Sequence, residues 1–123
     1  MSNYSNITLG RQGEKLALKF LEKKGYILRH KNWRYKKLEL DIVVEKENLI
    51  VFVEVKTRSN MNNNSLDEIV SISQQKRIIH AAHNYIQEYN LDEEIRFDLV
   101  GVYLDNNSFN FKHYKEFIYP IND

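Results

Sequence analysis

Cysteine is absent from the 123 residues, proline occurs once and glycine four times. Without cysteine there is no disulfide scaffold, no thiolate metal site and no thiol nucleophile. The longest unbroken aliphatic or aromatic run, Leu49 to Val53, is far short of the roughly 20 residues that cross a bilayer, so no membrane span is expected. The opening stretch, MSNYSNITLGRQGEK, has no apolar segment of the signal-peptide kind, and a cytoplasmic protein is expected. Neither G-x-x-x-x-G-K-[ST] nor G-x-G-x-x-G occurs, and no serine sits in a nucleophile elbow, which excludes a P-loop hydrolase. What is present is the composition of a folded soluble chain, 42% hydrophobic and 28% charged. The length fits one domain over residues 1–123 with a small core, residues 1–7 being polar and expected to be disordered.

Charge of one sign is scarce overall, with a net of +1, but it is unevenly spread. Residues 11–37 hold ten basic residues, among them Arg11, Lys15, Arg34, Lys36 and Lys37, against the acidic Glu14 and Glu22. Such a basic third is suited to a polyanion, although most charge runs are only solvated helix faces.

Hydrophobic spacing orders the elements. Thr8 is placed to cap a first helix whose apolar positions Leu9, Leu16, Ala17, Phe20 and Leu21 share one arc, with Gly25 as its stop. Arg11, Lys15, Lys19 and Lys23 form an i,i+4 ladder off that arc, and Glu14 borders it. Residues 26–37 read as extended. Leu38, Leu40, Ile42 and Val44 alternate with more polar positions, and residues 49–56 are nearly all apolar, as expected of a strand covered on both faces. Residues 59–65 form a polar loop. Ser73 is placed to cap a second helix, to about Tyr89, with Gln75, Ile79, Ala82 and Ile86 on one side. Two further strands, 96–104 and 108–114, are joined by a turn at Asn106-Asn107. The order α-β-β-β-α-β-β predicts an α/β (α+β) fold, a central mixed sheet flanked by helices.

Chemistry gathers around Glu39-Leu-Asp41 and Glu54-Val-Lys56. If residues 38–46 and 49–57 form a hairpin closed by Glu47-Asn48, Asp41 lies opposite Glu54 and Glu39 opposite Lys56, all on one face. Opposed carboxylates destabilise a sheet, more so when buried beside Phe52 and Val43. Either one carboxylate keeps its proton or a divalent cation lies between them. Oxygen ligands without cysteine or a histidine cluster suit Mg²⁺ or Mn²⁺. Glu14 is a candidate third carboxylate. Gln75 is placed to reach a ligand water or a phosphate, with Lys76 as the neighbouring substitute. Taken singly, Glu14 and Gln75 fit a surface role better than a catalytic one, and an isolated E-x-K is common by chance. The opposed Asp41 and the apolar strand around Glu54 shift the balance towards a functional site. His80 and His83 stand at i,i+3 without a third ligand, and His30 and His113 stand alone.

Several runs carry a family resemblance: Leu9-Gly-Arg-Gln-Gly-Glu14, Asn32-Trp33-Arg34, Glu39-Leu-Asp41-Ile-Val, Phe52-Val-Glu54-Val-Lys56-Thr-Arg58, Lys76-Arg77 and Arg96-Phe97-Asp98-Leu-Val. Over nearly the whole chain the sequence resembles the YraN family of bacterial proteins. That family resembles in turn the PD-(D/E)xK nucleases, the archaeal Holliday-junction resolvases in particular, with their restriction-endonuclease-like αβββαβ core. The resemblance implies that Glu14, Asp41 and Glu54 hold Mg²⁺ (or Mn²⁺), with Lys56 completing the E-x-K half. Arg58 and Asp98 belong to the family pattern without an assigned chemistry. The chain departs at Leu38, where glycine is usual, and in its Asn-rich 60–64 loop.

The expected activity is therefore metal-dependent hydrolysis of phosphodiesters in DNA at a junction, flap or end. Contacts are expected from Arg11, Lys15, Trp33, Arg34, Lys36, Lys37, Arg58 and Lys76, with Trp33 stacking on an exposed base. A homodimer is compatible with the resolvase-like relatives, which work as pairs. A non-cleaving nucleic-acid-binding module and a nuclease of structured RNA are the alternatives.

Overall fold

The structure, a computed structural model, describes residues 6–59 and 70–118. Helix α1 (Asn6–Lys23) is followed by strands β1 (Ile27–Tyr35), β2 (Leu38–Lys46) and β3 (Leu49–Arg58). Helix α2 (Ile72–Glu88) then leads to strands β4 (Glu94–Asp105) and β5 (Ser108–Tyr114). The expected order is the observed one. The expectation for residues 1–7 lies outside the described residues for 1–5, and the polar-loop expectation does so for 60–65.

Helix α1 begins at Asn6, ahead of the expected cap Thr8. It stops where expected: Gly25 takes φ +94°, Gly25 N–H donates to Glu22 O, and Tyr26 N–H reaches back to Leu21 O. This pair of bonds satisfies helix-end carbonyls at the one residue type that enters the left-handed region without a Cβ penalty.

The strands form one sheet in the order β1-β2-β3-β4-β5, antiparallel except for the parallel β3–β4 pair that α2 bridges. Val51 and Phe52, adjacent in β3, face opposite ways and split the core in two. Val51, Val53, Ile42, Val44, Val100 and Val102 pack with Ala17 and Leu21 of α1. Phe52, Ile50, Val43 and Phe97 pack with Ile78, Ala81, Ala82 and Tyr85 of α2. The sheet is thus covered on both faces, and β3 lies in its middle, as its apolar run requires.

Helix α2 departs from expectation in its cap. Ser71, not Ser73, is the N-cap, its Oγ accepting from Gln74 N–H at 3.1 Å. The buried stripe is also displaced by one residue, to Ile78, Ala81, Ala82 and Tyr85, with Ile79 and Ile86 only flanking it.

Candidate active site

The β2–β3 register is set by its turn. Lys46 pairs with Leu49 and the ladder runs to Ile42 and Val53, so the next opposed residues are Asp41 and Glu54. There a side chain replaces the backbone ladder, and Val55 N–H donates to Asp41 Oδ2 at 2.9 Å. The contact between the two carboxyls lowers Asp41 and raises Glu54, so Glu54 is the member of the pair that keeps its proton. Glu54 is buried; its Oε2 accepts from Gln74 Nε2 at 2.7 Å and lies 3.3 Å from Lys56 Nζ. Burial, and then the charge of Asp41, push the Glu54 carboxyl up to about 8 against the pull of Lys56. Burial also raises Asp41, opposed by the Val55 N–H.

A local break in alternation delivers Asp41 to this position. In β2, Leu40 and Val43 both join the core under α2, while Ile42 and Val44 join the core under α1. In β1, Trp33 joins the α2 core and His30 meets Tyr85 of α2. Residues three apart share a face in both strands, whereas regular strands place them on opposite faces. The switch falls at Asp41 and at Asn32 across from it, the one position skipped between Lys31–Ile42 and Trp33–Leu40. Asn32 has φ 53°, in the left-handed region that asparagine enters more readily than most residues. Its side chain hydrogen-bonds Glu14.

Glu14 comes from α1, which approaches β3 at Gly13. A Cβ on Gly13 would overlap Thr57 Oγ1 and lie 2.9 Å from Thr57 Cβ, so only glycine fits this approach. Burial, and then the charge of Asp41, raise the Glu14 carboxyl, while Asn32 pulls it down. Glu14 lines a cleft of about 460 Å³ with Lys56, Thr57 and Arg58. Asp41 and Glu54 line an adjoining cleft of about 240 Å³ with Lys37, Gln74 and Arg77. A larger cavity, about 870 Å³, lies elsewhere, around Tyr26, Lys46 and Arg96, and none of these carboxylates lines it.

Among the described residues no three His, Asp or Glu side chains are gathered into a ready ligand cluster. Asp41 and Glu54 form a pair, and Glu14 is coupled to it through the charge of Asp41. The ligand atoms fit a hard divalent cation: all are carboxylate oxygens, and the raised Asp41 and Glu54 carboxyls mark a place where positive charge is favoured. The N–H donors take Asp41 Oδ2 and Glu54 Oε2, which leaves Oδ1 and Oε1 to such an ion.

Several expected residues are placed differently. Gln75 is not in the site: its Nε2 donates to Val70 O, and Gln74 holds Glu54 instead. Lys76 likewise faces another surface, while Arg77 lines the cleft. Both differences follow from the buried stripe of α2, Ile78, Ala81, Ala82 and Tyr85, which is centred one residue earlier than expected. The cap itself was legible, because Ser71-x-x-Gln74 matches the S-x-x-Q capping pattern and Ser73-x-x-Lys76 does not. Trp33 cannot stack on a base: the kink at Asn32 turns it into the core, 8% exposed, with Nε1 donating to Tyr89 Oη. Glu39 does not face Lys56, since the β2–β3 ladder stops short of them; it pairs with Arg34 at 2.8 Å.

His30 and His113 are not isolated either. His30 lies between the hydroxyls of Tyr85 and Tyr89, and His113 meets Asp98 at 2.8 Å. Arg11 and Lys15 are exposed along α1 with Lys19 and Lys23. The Lys36 ammonium stands over the Tyr35 ring. Arg58 donates to Thr57 O at 2.9 Å.

No helix among the described residues is long and apolar enough to cross a membrane. The sequence profile of the uncharacterised protein family UPF0102 matches residues 13–102, which include Glu14, Asp41, Glu54, Lys56 and Gln74. A UPF0102 protein of Bacteroides thetaiotaomicron is 45% identical over 112 residues, 91% of this chain and 93% of its own. One from Flavobacterium psychrophilum is 40% identical over 90% of this chain and 93% of its own. Another, from Chloroherpeton thalassium, is 40% identical over 86% of this chain and 85% of its own. By the profile match and by these relatives, the chain belongs to the UPF0102 (YraN) family.

Proposed function

We propose that this protein is a nuclease that hydrolyses phosphodiester bonds of structured DNA with a divalent metal, Mg²⁺ or Mn²⁺. One observation carries the reading: Asp41 and Glu54 are opposed and partly or wholly buried, with Lys56 3.3 Å from Glu54, and burial raises both carboxyls. A pair kept only for stability would be compensated by donors. Here three donors leave both carboxyls raised, a cost that a bound cation would remove.

Asp41 and Glu54 would hold the ion, with Glu14 as the third carboxylate. When bound, the ion supplies an acidified water as nucleophile and neutralises charge on a phosphate oxygen. Gln74 fixes one oxygen of Glu54 and so orients the other. The Val55 N–H does the same for Asp41. Lys56, already drawn to Glu54, places an ammonium beside the phosphate, where negative charge grows as the water adds. Arg58 and Lys37, from the neighbouring clefts, are suited to adjacent phosphates. The resemblance to PD-(D/E)xK nucleases supports the same assignment.

The test is a panel of junction, flap, nicked, duplex and single-stranded DNA, together with structured RNA, incubated with Mg²⁺ or Mn²⁺. Cleavage of at least one DNA is expected, and Asp41→Asn and Lys56→Ala should each lower it by about 100-fold or more. Cleavage that survives both substitutions, or none on any substrate, would overturn the reading. Binding without cleavage would favour a recognition module.

A further inference from the structure

The cavity of about 870 Å³ lies at the other end of β3 from the acid pair. Leu49 lines it, and Glu54 is about 17 Å further along the strand. Its floor is fixed. Tyr26 is buried and Arg96 half-buried. Arg96 gives Nε and Nη2 to the fully buried Asp98 and Nη2 also to Tyr26 Oη. These bonds hold the planar guanidinium in one orientation, and among the described residues its Nη1 makes no hydrogen bond.

Ammonium groups gather over this floor. Lys46 Nζ donates to Lys24 O at 2.7 Å and stands 5.3 Å from the Tyr26 ring centroid. Lys115 lines the same cavity, and Lys24 stands beside it with Nζ 3.0 Å from His113 Nδ1. Partial desolvation and then the charge of Lys115 lower the Lys24 ammonium; Asp98 opposes this and Lys46 adds to it. Among the described residues none of these lysines is in an ion pair. Such mutual repulsion is a cost that a bound anion relieves.

Carboxylates line the cavity too, yet no ion pair among the described residues joins them to the lysines. Glu47 comes from the β2–β3 turn, and Asp92, Glu93 and Glu94 from the entry to β4, so they form the rim at the end of the sheet. A polyanion laid across the cavity would meet that acidic rim. A short ligand avoids it by placing one anionic group on the floor and turning hydrogen-bond donors to the rim.

We propose that this cavity binds a small phosphate monoester whose body carries hydroxyl or amino donors, as a nucleotide or a sugar phosphate does. The phosphate would take Arg96 Nη1 and the ammoniums of Lys46, Lys115 and Lys24, while the donors face Glu47 and Glu94. A monoester brings about −1.5 to −2 charge at pH 7 and three acceptor oxygens. The volume is within the roughly 300–1,000 Å³ usual for small-molecule sites. The site is separate from the acid pair, and the inference does not depend on the nuclease reading.

Isothermal titration calorimetry at low salt, without divalent cation, tests this with guanosine 5′-monophosphate, ribose 5-phosphate, guanosine and inorganic phosphate. At least one ester should bind about tenfold or more tighter than guanosine and inorganic phosphate, and which ester does so identifies the body. Lys115→Ala should weaken that ester about tenfold, as expected for one lost charge-assisted contact. Glu94→Gln should weaken the ester and leave inorganic phosphate no weaker. Both residues are exposed, and unchanged thermal melting checks that the variants fold. Asp41→Asn should bind the ester as wild type does. Neither ester exceeding inorganic phosphate, or an affinity indifferent to Lys115→Ala or to Glu94→Gln, would overturn the proposal. Loss of ester binding in Asp41→Asn would also overturn it, by placing the ligand at the acid pair. So would displacement of the ester by single-stranded DNA without terminal phosphates, which would make the lysines a polynucleotide surface.

Discussion

Two buried acidic centres in one sheet receive opposite treatment. Asp98 of β4 is fully buried and is met by four donors: Arg96 Nε and Nη2, each at 2.7 Å, His113 Nε2 at 2.8 Å and the Glu116 N–H at 3.2 Å. Burial alone would raise its carboxyl, but His113, Arg96 and the Glu116 N–H together hold it below the ordinary value. Arg96 also donates to Tyr26 Oη, so the cluster ties β4, β5 and the end of α1 together. Asp41 and Glu54 have one ammonium, one amide and one backbone N–H between them, and they face each other. Both of their carboxyls are raised. A carboxylate kept for architecture is surrounded by donors. A pair of carboxylates pressed together is a cost that a stable fold gains nothing from, which is why the second centre is assigned the chemistry.

The contrast sets the order of expected effects. Asp98→Asn should be the most damaging, because it strips Arg96 of a buried partner; a loss of about 3–5 kcal/mol is expected in chemical denaturation. The same exchange of acid for amide at Glu54 should stabilise, with a dependence on pH. A carboxyl near 4.5 when unfolded and about 8 when folded binds more protons in the folded state between those values. Stability is therefore lost as pH rises from about 4.5 through about 8, and the cost is complete above that. Glu54→Gln, which cannot ionise, should match wild type near pH 4 and exceed it at pH 9 by roughly 2–4 kcal/mol. The sign is opposite for Asp98, whose contribution is present above its unfolded value of 3.8 and disappears as pH falls below it. Parallel stability curves for Glu54→Gln and wild type would erase the distinction between the two centres.

A smaller effect sharpens the same comparison. Gly13→Ala forces α1 away from Thr57, at about 1–3 kcal/mol of overpacking. Asp98 lies off this contact, so its network should stay intact while Glu14 moves from the acid pair. Nuclear magnetic resonance of the carboxyl and His113 signals should shift those of Glu14 and Asp41 but not that of His113.

Which parts of this were legible in the sequence follows from how local each is. The Glu47-Asn48 turn fixes the β2–β3 register, so the meeting of Asp41 with Glu54 is readable from chain arithmetic alone. The central place of β3 is readable from its apolar run. The helix-side residues depend on which apolar stripe of α2 is taken as buried: choosing Ile79, Ala82 and Ile86 instead of Ile78, Ala81, Ala82 and Tyr85 brings Gln75 and Lys76 forward in place of Gln74 and Arg77. Trp33 is misread for a different reason. Nothing in a run of alternating residues signals that Asn32 takes a left-handed conformation and turns its neighbour inward. Asp98 is out of reach of local pattern altogether, because His113 and Glu116 come to it from beyond the next strand turn.

The most direct test of the central claim, that a divalent ion binds the raised Asp41–Glu54 pair and displaces the proton held on Glu54, is calorimetric titration of Mn²⁺. Wild type and Asp41→Asn are titrated near pH 7 in two buffers of different ionisation heat. Binding by wild type with release of about one proton, and loss of that binding in Asp41→Asn, is the expected result. Equal binding by both proteins, or binding by wild type with no proton released, would contradict the account.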